Sequence, residues 1–170
     1  MTDAMNTEQK DREREYYGPV KSWLQRLLES KFANVYLEVT ADRTFSNTLK
    51  AQIDRNRDLI FSFLREAAPD LTGFVKRDSS SSREFLVVEV KARPIKLDDI
   101  YQTRKYAELF DARYALLLST HEIPEEIRRL SQVLFPYLLA LPVYKQLTLV
   151  QFGDNGSRTD WFPNDPFDKT

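Results

Sequence analysis

One stretch of the chain, Phe85-Leu86-Val87-Val88-Glu89-Val90-Lys91, constrains the fold more than any other. A run that is apolar at nearly every position reads as a β-strand buried on both faces. Glu89 and Lys91 interrupt it at its end, and such side chains are almost never fully buried unless they are paired or bind something. Residues 97–110 then follow a helical pattern, with Asp98 and Asp99 in the first turn where they complement the helix dipole. A second wholly apolar run, residues 114–119, comes next. Strand, helix and strand over residues 85–119 predict a right-handed crossover between parallel strands.

The segment before this run predicts a hairpin. Residues 71–76 and 85–90 pair as antiparallel strands around the polar stretch Asp78-Ser79-Ser80-Ser81-Ser82. A register centred on Ser79 and Ser80 sets Asp70 opposite Glu89, and directly opposed residues share a face. Because strand side chains alternate, Lys91 falls on that face and Val90 on the other. A two-residue slip would keep the face and stretch the spacing. Two carboxylates and an ammonium are thereby expected at one point. Carboxylates held together repel unless a proton or a cation sits between them, and Mg²⁺ takes such oxygen ligands together with waters and substrate phosphate. A neighbouring lysine holds or deprotonates an attacking water and offsets charge building on phosphorus. A structural ion pair between Glu89 and Lys91, with Asp70 capping a turn after Pro69, is the competing reading.

Pro69-Asp70, eighteen residues, then Glu89-Val90-Lys91 resembles the signature of the PD-(D/E)XK nuclease superfamily. Eleven residues past Lys91, Gln102-Thr103-Arg104-Lys105-Tyr106 is similar to the QxxxY motif of its RecB-like members, with Gln102 and Tyr106 on one helical face. The resemblance covers residues 13–120. It implies an α/β fold with a restriction-endonuclease-like core of helix, three-strand antiparallel meander, helix and parallel strand. An extra C-terminal helix and strand would follow. It also implies Asp70 and Glu89 as metal ligands for Mg²⁺, with Mn²⁺ as substitute, Lys91 as the catalytic lysine, and Gln102 and Tyr106 as supporting or substrate-contacting groups. The activity implied is hydrolysis of phosphodiester bonds in DNA, with RNA left open, in restriction, repair or processing.

Residues 13–29 predict an amphipathic helix with Tyr17, Val20, Leu24 and Leu27 in one stripe, flanked by Trp23 and Leu28. Glu13 falls on this stripe and is a candidate third metal ligand, since many nucleases of the superfamily place a first-helix glutamate near the metal. Glu13 is a solvated residue instead if Gly18-Pro19 breaks the helix and Pro19 starts a shorter one. Residues 35–39 alternate like a half-exposed strand with Glu38 on its solvent side, and residues 58–67 predict an inserted helix. Beyond the second apolar strand, Pro124 opens a helix whose Ile127, Leu130, Leu134 and Tyr137 form a core-facing stripe ended by Pro136. Residues 144–152 predict a last strand. Residues 1–11 are expected to be a disordered tail, 12–152 a single domain, and 153–170 a loop-like tail whose Trp161, Phe162 and Phe167 fold back over the core.

With 170 residues, 42% of them hydrophobic, the chain can bury a core of its own. The absence of cysteine excludes disulfides, thiolate zinc sites and iron–sulfur clusters. One histidine, His121, is expected in a surface turn, and four glycines offer no phosphate-binding loop. With neither a signal-peptide pattern nor a long apolar span, a cytoplasmic, membrane-free protein is expected. A net charge of −1 is low for a strong nucleic-acid binder. Two basic clusters could compensate: Arg43, Lys50, Arg55 and Arg57, and around the proposed site Arg93, Lys96, Arg104 and Lys105. A homodimer or partner subunit could also supply affinity. The alternative to an enzyme is a non-catalytic module of the same fold that binds nucleic acid or serves assembly.

Overall fold

A computed structural model describes residues 2–42 and 44–168. The chain forms a mixed α/β structure around one seven-stranded sheet with the order β1-β2-β3-β4-β6-β5, in which β7 also pairs with β6. The strands are β1 (Asn34–Val39), β2 (Leu71–Lys76), β3 (Glu84–Lys91), β4 (Tyr114–Ser119), β5 (Ala140–Leu141), β6 (Lys145–Gly153) and β7 (Arg158–Phe162). The helices are α1 (Thr2–Glu29), α2 (Asn47–Lys50), α3 (Ile60–Phe63), α4 (Leu97–Phe110) and α5 (Glu125–Arg129). β1, β2 and β3 are antiparallel neighbours, whereas β3, β4 and β6 run parallel. No helix among the described residues is long and apolar enough to cross a membrane.

The two apolar strands lie centrally because each has two faces to bury. Leu86, Val88, Val90, Leu116 and Leu118 pack with Val20, Leu24 and Leu28 of α1 on one face. Val87, Ala115 and Leu117 pack with Ile100, Tyr106 and Phe110 of α4 on the other. Gly73 in β2 is required by close approach, since a Cβ there would lie 2.1 Å from the Tyr36 carbonyl oxygen.

Helix α4 and strands β3 and β4 stand where the sequence puts them, and the hairpin has the expected register. Several expectations are corrected. The N-terminal segment is not a disordered tail: helix begins at Thr2, with Met1 outside the described residues. Pairs one turn apart, Glu8–Arg12 and Asp11–Arg14, support it on the solvent side. Pro19 lies inside this helix without ending it. The helix expected over 58–67 is reduced to α3. Its Ile60 and Leu64 enter the core and Phe61 packs on Phe45 and Phe110, but Leu59 and Phe63 have nothing to cover them, so the turn does not propagate. In the helix after Pro124, Ile127 and Leu130 reach the core while Leu134 and Tyr137 are exposed, because α5 passes into a π-helical turn at Leu130–Leu134 that takes these residues off the stripe.

The tail is corrected in part. Its aromatics do fold back: Phe167 packs against Tyr114 and Trp161, and Trp161 against Trp23. Yet Arg158–Phe162 is not loop but the edge strand β7, so a boundary at residue 152 cuts through the sheet. Gly156 makes the turn into β7 at φ +93°, where a Cβ would strike the Trp23 ring.

Candidate active site

The cluster forms at the carboxyl end of β3. Continuing the β2–β3 register by one step sets Asp70 opposite Glu89. The backbone N–H of Val90 donates to Asp70 Oδ2 at 2.7 Å, fastening the carboxylate to the neighbouring strand. Lys91 Nζ lies 3.4 Å from Glu89 Oε2. All three residues are buried, at 7%, 2% and 8% exposure for Asp70, Glu89 and Lys91. The backbone of Asp70 is held from the other side by the residue that follows β1: the Thr40 N–H donates to the Asp70 carbonyl at 2.8 Å, and Thr40 Oγ1 donates to the Pro69 carbonyl.

Glu89 Oε1 is buried and has no hydrogen-bond partner. A carboxylate oxygen in that position is costly unless a proton or a cation satisfies it. Burial raises the Glu89 carboxyl well above its usual range and the nearby Asp70 raises it further, against the pull of Lys91. Burial also raises Asp70, although the Val90 N–H, Lys91 and Tyr17 favour its ionised form. Without a cation, one proton shared by the pair relieves the repulsion. Burial acts to lower the Lys91 ammonium, but Glu89, Glu13, Asp70 and Asp99 outweigh it and raise it, so Lys91 is charged at neutral pH.

Glu13 is brought to the same place. The apolar half of α1 from Val20 onward packs on the sheet, whereas its N-terminal half extends past the strand ends, where Glu13 is buried at 7% exposure. Burial raises its carboxyl, with Lys91 lowering it and Asp70 raising it. From α4, Gln102 Nε2 donates to the Tyr106 hydroxyl at 3.2 Å. Tyr106 is fully buried, and its hydroxyl is raised by burial and by the charges of Glu89 and Asp70. Asp70, Glu89 and Lys91 thus stand together, Glu13 and Tyr106 lie within electrostatic reach of them, and Gln102 is tied in only through its bond to Tyr106. Among the described residues, no three His, Cys, Asp or Glu side chains stand close enough to form a ready-made metal cage. The buried carboxylates here are the Asp70–Glu89 pair, with Glu13 at its margin.

Sequence reasoning missed two contributions. The Tyr17 hydroxyl donates to Asp70 Oδ1 at 2.8 Å. Burial and the Asp70 charge push that hydroxyl far above its usual range, so it remains a donor. The signal was its position one helical turn after Glu13, hidden because tyrosine also suits an apolar stripe. The second is Arg93, which forms two hydrogen bonds of 2.7 and 2.8 Å with Asp99; Asp99 also accepts from the Lys96 N–H. Asp99 is thus more than a dipole residue. Glu38 is likewise not merely solvent-facing, since it accepts from the Ser46 hydroxyl at 2.7 Å ahead of α2.

The basic clusters are largely engaged within the fold. Arg93 is held by Asp99, Arg104 by Glu108, and Lys105 lies over the Tyr106 ring. Arg57 donates to the Leu109 carbonyl and Lys50 lies over Phe61, while Arg43 is outside the described residues. Lys96 stays exposed near the site. A surface recess of 690 Å³ lined by Phe45, Lys50, Phe61 and Arg65 reaches Ala68, two residues before Asp70, but none of the six site residues lines it. His121 is an exposed turn residue. A scan of protein-family models finds no match to this chain, and a search of curated proteins finds none either.

Proposed function

We propose that this protein is a metal-dependent nuclease of the PD-(D/E)XK type, built on a restriction-endonuclease-like core and hydrolysing phosphodiester bonds in DNA. The observation that carries the reading is the convergence of Asp70, Glu89 and Lys91 at one strand end, with Glu89 Oε1 buried and lacking a partner. A structural ion pair would satisfy its atoms; this one leaves an acceptor that a divalent cation can take. The order of helix, three antiparallel strands, helix and parallel strand supports the same core.

Asp70 and Glu89 would hold Mg²⁺ or Mn²⁺, with Glu13 reaching it directly or through water. The ion when bound supplies Lewis acidity at the phosphoryl oxygen and a more acidic water. The chain's own residues do the rest. Asp70, fixed by the Val90 N–H, keeps an oxygen turned to the site. Lys91, charged, donates to the attacking water or to the phosphoryl oxygen on which negative charge builds. Tyr106, fully buried, accepts from Gln102 and so orients the half-buried Gln102 amide, which would meet the substrate backbone from α4. DNA as substrate, affinity from a second subunit and a cytoplasmic location belong to this reading.

The test incubates the full chain with linear, circular and branched DNA, and with RNA, with and without Mg²⁺. Cleavage that needs the cation and is lost in Asp70→Asn and Glu89→Gln is expected. Cation-induced thermal stabilisation without cleavage of any substrate would replace the enzyme with a non-catalytic nucleic-acid-binding or assembly module.

A further inference from the structure

We infer that Tyr17 is a positioning residue for the metal site, a hydroxyl that sets which oxygen of Asp70 a cation meets; this rests on the metal-dependent reading above. Asp70 is anchored at both ends of its carboxylate, by the Val90 N–H on Oδ2 at 2.7 Å and by the Tyr17 hydroxyl on Oδ1 at 2.8 Å. The two bonds come from different elements, one from β3 and one from α1. The N–H fixes a single oxygen, around which the group can still turn. The hydroxyl fixes the other and so defines the carboxylate plane.

Each oxygen keeps one lone pair, and the fixed plane decides where it points. Asp70 is 7% exposed, so water does not replace a lost donor freely. Partners of this kind, which orient a ligand without touching the metal, typically change metal affinity by about 10–100-fold when removed. The ring of Tyr17 packs at the margin of the α1 core cluster while its hydroxyl reaches past the strand ends. One side chain thereby ties the docking of α1 to the geometry of Asp70. Glu13, one turn earlier on the same helix, is carried into the site by the same docking.

The experiment compares the full chain with Tyr17→Phe, Tyr16→Phe and Asp70→Asn. Each is titrated with Mg²⁺ and with Mn²⁺, following the melting temperature and, for Mn²⁺, the paramagnetic resonance signal of the free ion. Tyr17→Phe keeps the ring but strands a buried acceptor on Asp70, so its metal-free melting temperature is expected to fall by only a few degrees, less than for a core truncation. Its half-saturating cation concentration is expected to rise about tenfold. Cleavage should return towards the parent rate at saturating cation, a split that lost folding would not produce. Tyr16→Phe should titrate like the parent.

An unchanged half-saturation in Tyr17→Phe, with the cation response abolished in Asp70→Asn, would overturn the role of Tyr17 and leave the metal site standing. A metal-free melting temperature lowered as far as by truncating a core residue would assign Tyr17 to folding and overturn it too. A parent that responds to neither cation would remove the metal reading itself.

Discussion

Two charge clusters lie side by side around the end of β3, and they are built on opposite principles. Arg93 and Asp99 satisfy one another through a two-bond fork, and Asp99 accepts a third bond from the Lys96 N–H. Although burial acts to raise it, Asp99 ends below its ordinary range because Arg93 and the N–H outweigh that penalty. Asp70 and Glu89 are pushed the other way, and no donor of the fold reaches Glu89 Oε1. The first cluster pins the start of α4 to the loop after β3. The second is a liability in the isolated chain, and buried groups of that kind mark candidate sites because a ligand can relieve them.

Removing Lys91 gives the largest effect expected from this contrast. Lys91→Ala should lower the cleavage rate on the order of 10²–10³-fold while cation-induced stabilisation persists. A variant that cleaves as the parent does would reduce Lys91 to a counter-ion like Arg93. Next in size is Asp99→Ala, which strands Arg93. Because the Arg93 side chain keeps 25% exposure, water offsets part of the loss, and denaturant unfolding should show a cost of about 2–3 kcal/mol. No loss there would mean that the fork contributes nothing and that the two clusters differ less than their geometry says.

Glu89→Gln is expected to move stability the other way. In metal-free buffer near neutral pH it replaces a buried carboxyl, which must share a proton with Asp70, by a neutral amide, and the charges of Asp70 and Glu13 still favour the Lys91 ammonium. A gain of about 1 kcal/mol in unfolding free energy is expected, together with loss of the cation response. Destabilisation would show that the Glu89–Lys91 pair is structural.

The smallest effect is in acid. Asp99 has a folded value below its ordinary 3.8, so the stability it contributes is present above 3.8 and lost as pH falls through the lowered folded value. Comparison of the parent with Asp99→Asn by unfolding from pH 6 downward should show the gap between them closing as pH drops below about 4. A gap that stays constant would take Asp99 out of the acid response.

The parts legible in the sequence are those where one local pattern has one structural meaning. A short, nearly continuous apolar run reads as a doubly covered strand, so β3 and β4 were readable, and the 97–110 periodicity together with its acidic first turn gave α4 its bounds. Centring the hairpin on Ser79 and Ser80 gave the observed register, although the polar stretch alone left a two-residue slip open, and from that register the meeting of Asp70, Glu89 and Lys91 followed. Residues 58–67 misled because Leu59 and Phe63 repeat at helical spacing yet face solvent. The strand Arg158–Phe162 was hidden among turn-forming residues, since pairing with β6, not composition, makes it a strand.

What the sequence determined by itself is the central sheet and the carboxylate pair, because strand alternation and turn length are local properties of the chain. Only the tertiary structure decided that α1 runs past the end of the sheet, placing Glu13 and the Tyr17 hydroxyl beside Asp70. It also decided that Arg93 belongs to Asp99 rather than to a basic surface. Such partnerships depend on how helices dock on opposite faces of a sheet, and docking is set by the whole apolar surface they bury together.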